Sequence, residues 1–144
     1  MTERLELLRG VVHQWHHDSY GHMNVRHYAP FFDDASYHLW SLLGLSMETI
    51  RKTHGVHTVA ARATTEFLRE LRAGDLFVID GEVRRIGNRS FTLFLRMRHA
   101  DTGEIHATYE TVEVFFDAGS RRSAPVPDEV RQRLEAHLVT ADPT

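Results

Sequence analysis

Apolar residues recur with a helical period in one segment near the N-terminus. Pro30 fits only the first turn of a helix, so we expect this helix to begin near residues 27–29. Gly44 marks its expected end, and a shorter helix is predicted over 47–55, ending at Gly55. The apolar residues that share one face of the longer helix are Tyr28, Phe31, Phe32, Ala35, Leu39, Leu42 and Leu43.

From residue 57 onward the apolar period changes to two, which is typical of β-strands. Long alternating segments separated by short Gly- and Asp-bearing turns predict an antiparallel meander. The strands are predicted over 57–68, 76–86, 91–99 and 105–116, with turns over 72–75, 87–90 and 101–104.

Three weaker signals complete the chain. A strand is predicted over 5–15, a polar loop over 16–26, and a short helix over 126–138. One long apolar helix against one curved antiparallel sheet is a two-layer α+β arrangement. Because such a sheet has exposed edges and a half-covered face, we expect a homodimer or a homotetramer.

Composition and net charge limit the classes of partner and of site that the chain could have. The 144 residues suit a single domain, and the net charge of −3 argues against a nucleic-acid partner. The absence of cysteine excludes disulfides, thiolate metal sites and a Cys nucleophile. The charged start lacks the apolar core of a signal peptide, and no apolar run reaches membrane-spanning length. We therefore expect a cytoplasmic protein without a membrane partner.

The polar loop contains a pattern of the form D-x-x-G-H-x-N-x-x-x-Y, here Asp18-Ser-Tyr-Gly21-His22-Met-Asn24-Val-Arg-His-Tyr28. Together with the order of the elements, this pattern resembles the 4-hydroxybenzoyl-CoA thioesterase-like group of hotdog-fold thioesterases. The Gly-His-Met-Asn wording is also similar to hotdog thioesterases linked to carnitine and betaine metabolism.

The resemblance covers about residues 10–138 and implies one hotdog domain over residues 1–144, with a long central helix packed on a curved antiparallel sheet. It implies hydrolysis of a small, medium-chain or aryl acyl-CoA without metal or organic cofactor. Two positions depart from the group's pattern. His16 stands where many relatives have a second acid, and Val25 stands where many have a second Asn.

The resemblance implies that Asp18 is the catalytic carboxylate. It would attack the thioester carbon directly or deprotonate a water molecule, and the alternative is that it only caps a turn. Backbone N–H groups at the start of the long helix would polarise the carbonyl. Asn24 would cap or orient that helix start, and Gly21 would let the backbone approach the substrate.

His22 and Tyr28, which also belong to the motif, each have two possible roles. His22 would orient the acid or the carbonyl, or simply hold the loop. Tyr28 matches the motif but also lies on the apolar face of the helix. Tyr20, together with Trp15, Phe31 and Trp40, would shape an aromatic pocket for an aryl, short acyl or quaternary ammonium group.

The phosphates of coenzyme A suggest a second region. Arg89 and Ser90 lie in the 87–90 turn, beside Arg84 and Arg85, where phosphate contacts are expected. Asp33 and Asp34 lie on the predicted helix, and other hotdog subgroups use a helix-borne acid. They are the next candidates should Asp18 be dispensable, and otherwise form a solvated or interface face.

Two other functions remain open. The first is a hotdog dehydratase, with His22 as its candidate histidine, or a non-catalytic acyl-CoA binder. The second is a metal-dependent hydrolase that uses Asp18 and nearby histidines. The spacing of these histidines matches no helical metal motif such as H-E-x-x-H. They are His13, His16, His17, His22 and His27.

Overall fold

A computed structural model describes residues 4–140 of the chain. The outermost parts of the predicted 1–144 domain, residues 1–3 and 141–144, lie outside the described residues. The elements are β1 (Leu5–Val11), α1 (Tyr28–Leu42), α2 (Met47–His54), β2 (Val56–Phe67), β3 (Leu76–Ile86), β4 (Ser90–His99), β5 (Ile105–Asp117) and α3 (Asp128–Glu135), with 3₁₀ turns at Gln14–His16 and Val25–His27.

The strands form one antiparallel sheet in the order β1-β3-β4-β5-β2. The predicted meander is therefore right for β3, β4 and β5 but wrong for β2, which pairs with β5 and not with β3. The physical reason is that β1 already occupies the free edge of β3, with Val11 opposite Leu76. The chain after β2 must travel past the end of the sheet to reach β3.

The helix α1 packs its apolar face on the concave side of the sheet. Phe32, Ala35 and Leu39 are fully buried, at the spacing predicted from the sequence. Trp40 is buried as well, whereas Leu42 is 54% exposed because it lies on the solvent side of the helix. Burial of each large apolar side chain stabilises the fold by about 1.5–3 kcal/mol.

The element ends differ from the predictions in two places. The first strand stops at Val11 instead of residue 15, because Gln14–His16 forms a 3₁₀ turn in which His16 Nδ1 accepts a hydrogen bond from the His13 N–H. The last helix spans only Asp128–Glu135. The start of α1 at Tyr28, and the end of α2 before Gly55 (φ 67°), agree with the sequence.

The outer face of the sheet carries a compact ionic network. Arg96 makes a bidentate pair with Glu82 at 2.7 and 2.9 Å, and Arg98 Nε donates to Asp80 at 2.6 Å. Both acids and Arg96 are at most 9% exposed. Because every partner of this network is on β3 or β4, the network holds these two strands in register.

Among residues 4–140 no helix is both long and apolar enough to cross a bilayer.

Candidate active site

The segment between β2 and β3 packs against the motif loop. We call residues 68–75 the crossover segment and residues 16–24 the motif loop. The N–H of Met23 donates to the Leu71 carbonyl at 2.7 Å, and the N–H of Ala73 donates to His17 Nε2 at 2.7 Å. These contacts fix the motif loop beside the N-terminal end of α1.

Asp18 lies in a tight turn that organises its carboxylate. Oδ1 accepts a hydrogen bond from the Tyr20 N–H at 2.8 Å, and Oδ2 accepts one from Asn24 Nδ2 at 3.3 Å. The Tyr20 N–H is the main cause that holds the pKa of Asp18 below its ordinary value of 3.8, and Asn24 adds to the effect. Asp18 is therefore a carboxylate at neutral pH.

Asn24 links this carboxylate to the start of α1. Its Oδ1 accepts a hydrogen bond from the Arg26 N–H at 3.0 Å and so caps the 3₁₀ turn at Val25–His27. Its Nδ2 donates to Asp18, as described above. One side chain thus sets the direction in which the helix begins and the position of the acid.

His22 is paired with a residue that the sequence analysis did not single out. Its Nε2 lies 2.9 Å from Glu70 Oε2, and Glu70 belongs to the crossover segment. The His22 carbonyl also accepts the N–H of Asp18 at 3.0 Å. His22 therefore holds the motif loop from both sides, and its side chain reaches the same cleft as the acid.

A cleft of about 410 Å³ opens between the motif loop and the crossover segment. Tyr28 forms part of its floor, with its ring 5.0 Å from that of Phe67. Burial raises the pKa of Tyr28 to about 12, so its hydroxyl stays protonated. The residues that line the cleft are Asp18, Tyr20, His22, Met23, Val25, Tyr28, Phe67, Leu68, Arg69 and Glu70.

The structure assembles most of the predicted site. Asp18, Tyr20, His22 and Tyr28 all line the cleft, and Asn24 supports it. Gly21 has a φ of 79°, a backbone conformation that favours glycine whether or not a substrate lies beside it. Its role toward a substrate stays a prediction.

Other candidates are outside this cleft. Arg89 Nη1 donates to the Ser123 carbonyl at 2.6 Å, and Ser90 begins β4. Neither residue lines the cleft of this chain, so their contact with phosphates stays a prediction. Asp33 and Asp34 are exposed on α1, away from the cleft lining.

The histidines around the motif loop pack on one another and on aromatic rings. The His16 ring lies 5.0 Å from that of His27 and 5.4 Å from that of Phe31. Within residues 4–140, no three His, Asp or Glu side chains come together in a geometry that could hold a metal ion. His16, which stands where many relatives have a second acid, is buried and packs against Phe31.

Sequence reasoning missed Glu70 and Arg69. Both lie between the predicted strand over 57–68 and the predicted turn over 72–75, in residues that the alternation pattern assigns to neither. The only available signal was the length of this connection, because eight residues between β2 and β3 exceed what a tight hairpin needs. Their place beside Asp18 follows from the strand order alone.

The curved antiparallel sheet packed on one long central helix defines a hotdog-type fold. The sequence model of the thioesterase-like superfamily matches residues 11–134, and the chain belongs to that superfamily. The fold and the family expected from the sequence are both confirmed.

Individual relatives show how far the similarity extends. An L-carnitine dehydrogenase/betainyl-CoA thioesterase from Rhizobium meliloti (strain 1021) is 26% identical over 118 residues, which are 82% of this chain and 23% of that protein. The corresponding protein of a Rhizobium species is 24% identical over 119 residues, which are 83% of this chain and 24% of that protein. The chain thus spans about a quarter of the length of the curated relatives it matches.

Solved structures with the same fold include two with informative ligands or names. A Staphylococcus aureus protein solved in complex with CoA superposes with a TM-score of 0.86, at 21% identity, over 99% of this chain and 90% of that chain. A 1,4-dihydroxy-2-naphthoyl-CoA thioesterase from Synechocystis has a TM-score of 0.77, at 16% identity, over 88% of this chain and 93% of that chain.

Stability should fall as His16 becomes protonated. Burial lowers the pKa of His16 from its ordinary 6.5, with His27, His13 and His17 adding repulsion. Its contribution is therefore present above pH 6.5 and is lost as the pH falls toward the folded-state pKa, by at most about 1.4 kcal/mol per pH unit. Denaturant unfolding between pH 7.5 and 5.5 measures this slope.

The variant His16→Gln should flatten that slope, because the titrating group is gone. His38→Gln, on the exposed side of α1, is the matched control and should leave the slope as in the unmodified chain. An equal slope in His16→Gln and the unmodified protein would contradict the assignment.

Asn24→Asp should raise the pKa of Asp18. The new side chain still offers an acceptor to the Arg26 N–H, but it places a second carboxylate beside Asp18 and removes a donor. Both changes raise the pKa of Asp18, by roughly one unit, and an NMR titration of the Asp18 carboxyl carbon measures this increase. Gln132→Glu on exposed α3 adds the same charge far away and should leave the pKa of Asp18 unchanged.

Proposed function

We propose that the protein hydrolyses the thioester of an acyl-CoA, with Asp18 as the catalytic carboxylate. The observation that carries this proposal is the position of an ionised Asp18 in an open cleft, beside the backbone at the start of α1. A carboxylate and a set of N–H donors in one cleft are the two groups that acyl transfer needs.

Asp18 has two routes to the same products. In the first, one Asp18 oxygen attacks the carbonyl carbon, the coenzyme A thiolate leaves, and water then hydrolyses the mixed anhydride. In the second, Asp18 takes a proton from a water molecule that attacks the carbonyl. The lowered pKa of Asp18 keeps the carboxylate ionised near neutral pH, which both routes require.

The carbonyl oxygen would be polarised by the backbone at Val25. Val25 lines the cleft and is the first residue of the 3₁₀ turn that leads into α1. Its N–H is the first donor of that turn, whereas the next one, at Arg26, is already bonded to Asn24. Negative charge that develops on the substrate oxygen is stabilised at such a position.

Two further side chains keep this arrangement in place. The Glu70–His22 pair connects the crossover segment to the residue whose carbonyl binds the Asp18 N–H. The protonated hydroxyl of Tyr28 lies in the cleft without adding negative charge beside Asp18. We assign both a positioning role.

Coenzyme A would extend from the cleft toward solvent. Arg69 lines the cleft, and its Nε lies 3.4 Å from Glu104 Oε2. Arg89 and Ser90 would contact the phosphates only if the substrate leaves this chain's cleft and runs along a second copy. We keep both residues as proposed phosphate contacts on that condition.

The edge strand β2 favours a homodimer. Its residues from Val59 to Thr64 are all exposed, and Ala60, Ala61 and Ala63 present small side chains. A long edge strand with unpaired backbone groups pairs readily with another copy. The opposite edge is less suited, because β1 has only 7 residues.

The location and the acyl group complete the proposal. A cytoplasmic location fits a substrate whose charged nucleotide does not cross membranes unaided. The relatives named above act on acyl groups that differ in size and charge, so the shared element is the thioester. Side chains particular to this chain must therefore determine which acyl group it prefers.

Replacing Asp18 should abolish most of the reaction. Asp18→Asn keeps the size of the side chain but removes the nucleophile or base, and we expect kcat to fall by at least about 100-fold. Thiol release from short, medium-chain, branched and aryl acyl-CoAs measures the effect. Asp101→Asn, in the exposed turn before β5, is the control and should retain full activity.

Full activity in Asp18→Asn would make the assignment of the acid wrong and turn attention to Asp33 and Asp34. No turnover by the unmodified protein on the whole panel would instead favour the binder or the dehydratase.

Light scattering should give a mass of twice the 16.6 kDa chain. Ala61→Pro should produce monomers, because proline removes a backbone donor from the edge. Ala61 is the residue skipped in the β2–β5 register, so the substitution leaves the strand pairing within the chain largely intact. A monomeric unmodified protein at micromolar concentration would refute the dimer.

A further inference from the structure

One histidine–carboxylate pair lies in the same cleft as Asp18. His22 Nε2 is 2.9 Å from Glu70 Oε2, and both side chains line that cleft. Residues 4–140 also contain two such pairs outside it, which are His54–Glu129 at 3.0 Å and His99–Asp75 at 3.5 Å. Enzymes that form covalent acyl intermediates use an imidazole oriented by a carboxylate to move protons beside the nucleophile. The His22–Glu70 pair therefore has the composition of a proton-transfer pair.

The pairing with Glu70 determines which nitrogen of His22 is able to accept a proton. Because Nε2 faces the Glu70 carboxylate, a neutral imidazole carries its proton on Nε2 and its lone pair on Nδ1. The His22 side chain is 21% exposed, so water in the open cleft reaches the ring. Glu70 is also placed to stabilise the imidazolium that forms when Nδ1 takes up a proton.

Short backbone contacts hold His22 close to Asp18. The His22 carbonyl accepts the Asp18 N–H at 3.0 Å, and the N–H of the neighbouring Met23 donates to the crossover segment at 2.7 Å. The two carboxylates also act on the same hydroxyl, because burial is the main cause of the raised pKa of Tyr28 and both Glu70 and Asp18 add to it. Nucleophile, imidazole and second carboxylate are thus assembled in one region of the cleft.

Hydrolysis through an acyl-Asp18 intermediate requires a second base. Once an Asp18 oxygen has attacked the thioester carbon, its carboxylate is part of a mixed anhydride and cannot take a proton from the water that attacks next. The arginine and the two tyrosines that line the cleft keep their protons near neutral pH. Among the residues that line the cleft, the groups left to accept the proton are His22 and Glu70.

We infer that His22, oriented by Glu70, is the base for the water molecule that hydrolyses the acyl-Asp18 anhydride. This inference rests on the proposed thioesterase function and commits to its nucleophilic route. His22 is then a catalytic residue of the second step, in addition to holding the motif loop, and Glu70 is its positioning residue.

The atoms and electrons of this second step balance without a further reagent. The water oxygen bonds to the acyl carbon, and one water proton passes to His22 Nδ1. The bond between the acyl carbon and the Asp18 oxygen breaks, and its electron pair returns to the Asp18 carboxylate. The products are the free carboxylic acid and an imidazolium paired with Glu70, which then loses its proton to solvent in the open cleft.

Stopped-flow detection of released thiol separates the two steps. The substrate is the acyl-CoA of the panel that the unmodified protein hydrolyses fastest. The first turnover reports departure of the coenzyme A thiolate, whereas the steady-state rate also depends on hydrolysis of the anhydride. In His22→Gln and Glu70→Gln we expect a first turnover within about twofold of the unmodified rate, and a kcat lowered by about 100-fold and about tenfold, respectively. KM should fall with kcat, so that kcat/KM is retained.

Two further measurements distinguish this role from a merely structural one. Intact-mass spectrometry of the quenched reaction should show His22→Gln protein heavier by one acyl group, and Asp18→Asn should remove this adduct. Glu70→Asp retains a carboxylate and should recover part of the kcat lost in Glu70→Gln. Glu129→Gln is the matched control, because it breaks a histidine–glutamate pair of similar length outside the cleft and should leave kcat and KM unchanged.

The outcomes separate this inference from the proposed function. An unchanged kcat in both His22→Gln and Glu70→Gln would overturn the role of the pair, and so would an equal loss of first-turnover and steady-state rates without an acyl adduct. In either case, thiol release by the unmodified protein would leave the thioesterase proposal intact. If His22→Gln does not fold, as judged by denaturant unfolding, Glu70→Gln alone decides. No thiol release by the unmodified protein on any acyl-CoA would overturn the proposed function itself.

Discussion

The antiparallel pairing of β1 with β3 is the constraint on which the site depends. With this edge of β3 occupied, β2 can join the sheet only beside β5, and the chain must return past the N-terminal end of α1. That return path is the crossover segment, which binds the motif loop through Leu71 and Ala73. Without the β1–β3 pairing, Glu70 and Asp18 would have no reason to share a cleft.

Within the site, short-range hydrogen bonds are the main cause of the lowered pKa of Asp18. The backbone of Tyr20 and the amide of Asn24 keep Asp18 ionised even though the cleft around it also contains Glu70. Backbone donors achieve this without a nearby guanidinium, so they leave the carboxylate accessible to an incoming carbonyl. His16 adds no charge beside it because burial keeps its imidazole neutral.

The sequence alone determined the elements with strong periodicity and the residues that make up the motif loop. The start of α1 at Tyr28, the glycine end of α2 and the three-strand meander follow from local patterns and turn residues, which act over a few residues. Asp18 and Asn24 were identifiable because their hydrogen bonds lie within one short loop. The strand order and the contact between Glu70 and His22 were decided only by the tertiary structure. Each of these features depends on residues far apart in the chain, which come together only when the sheet closes around α1. No local sequence pattern can specify such contacts.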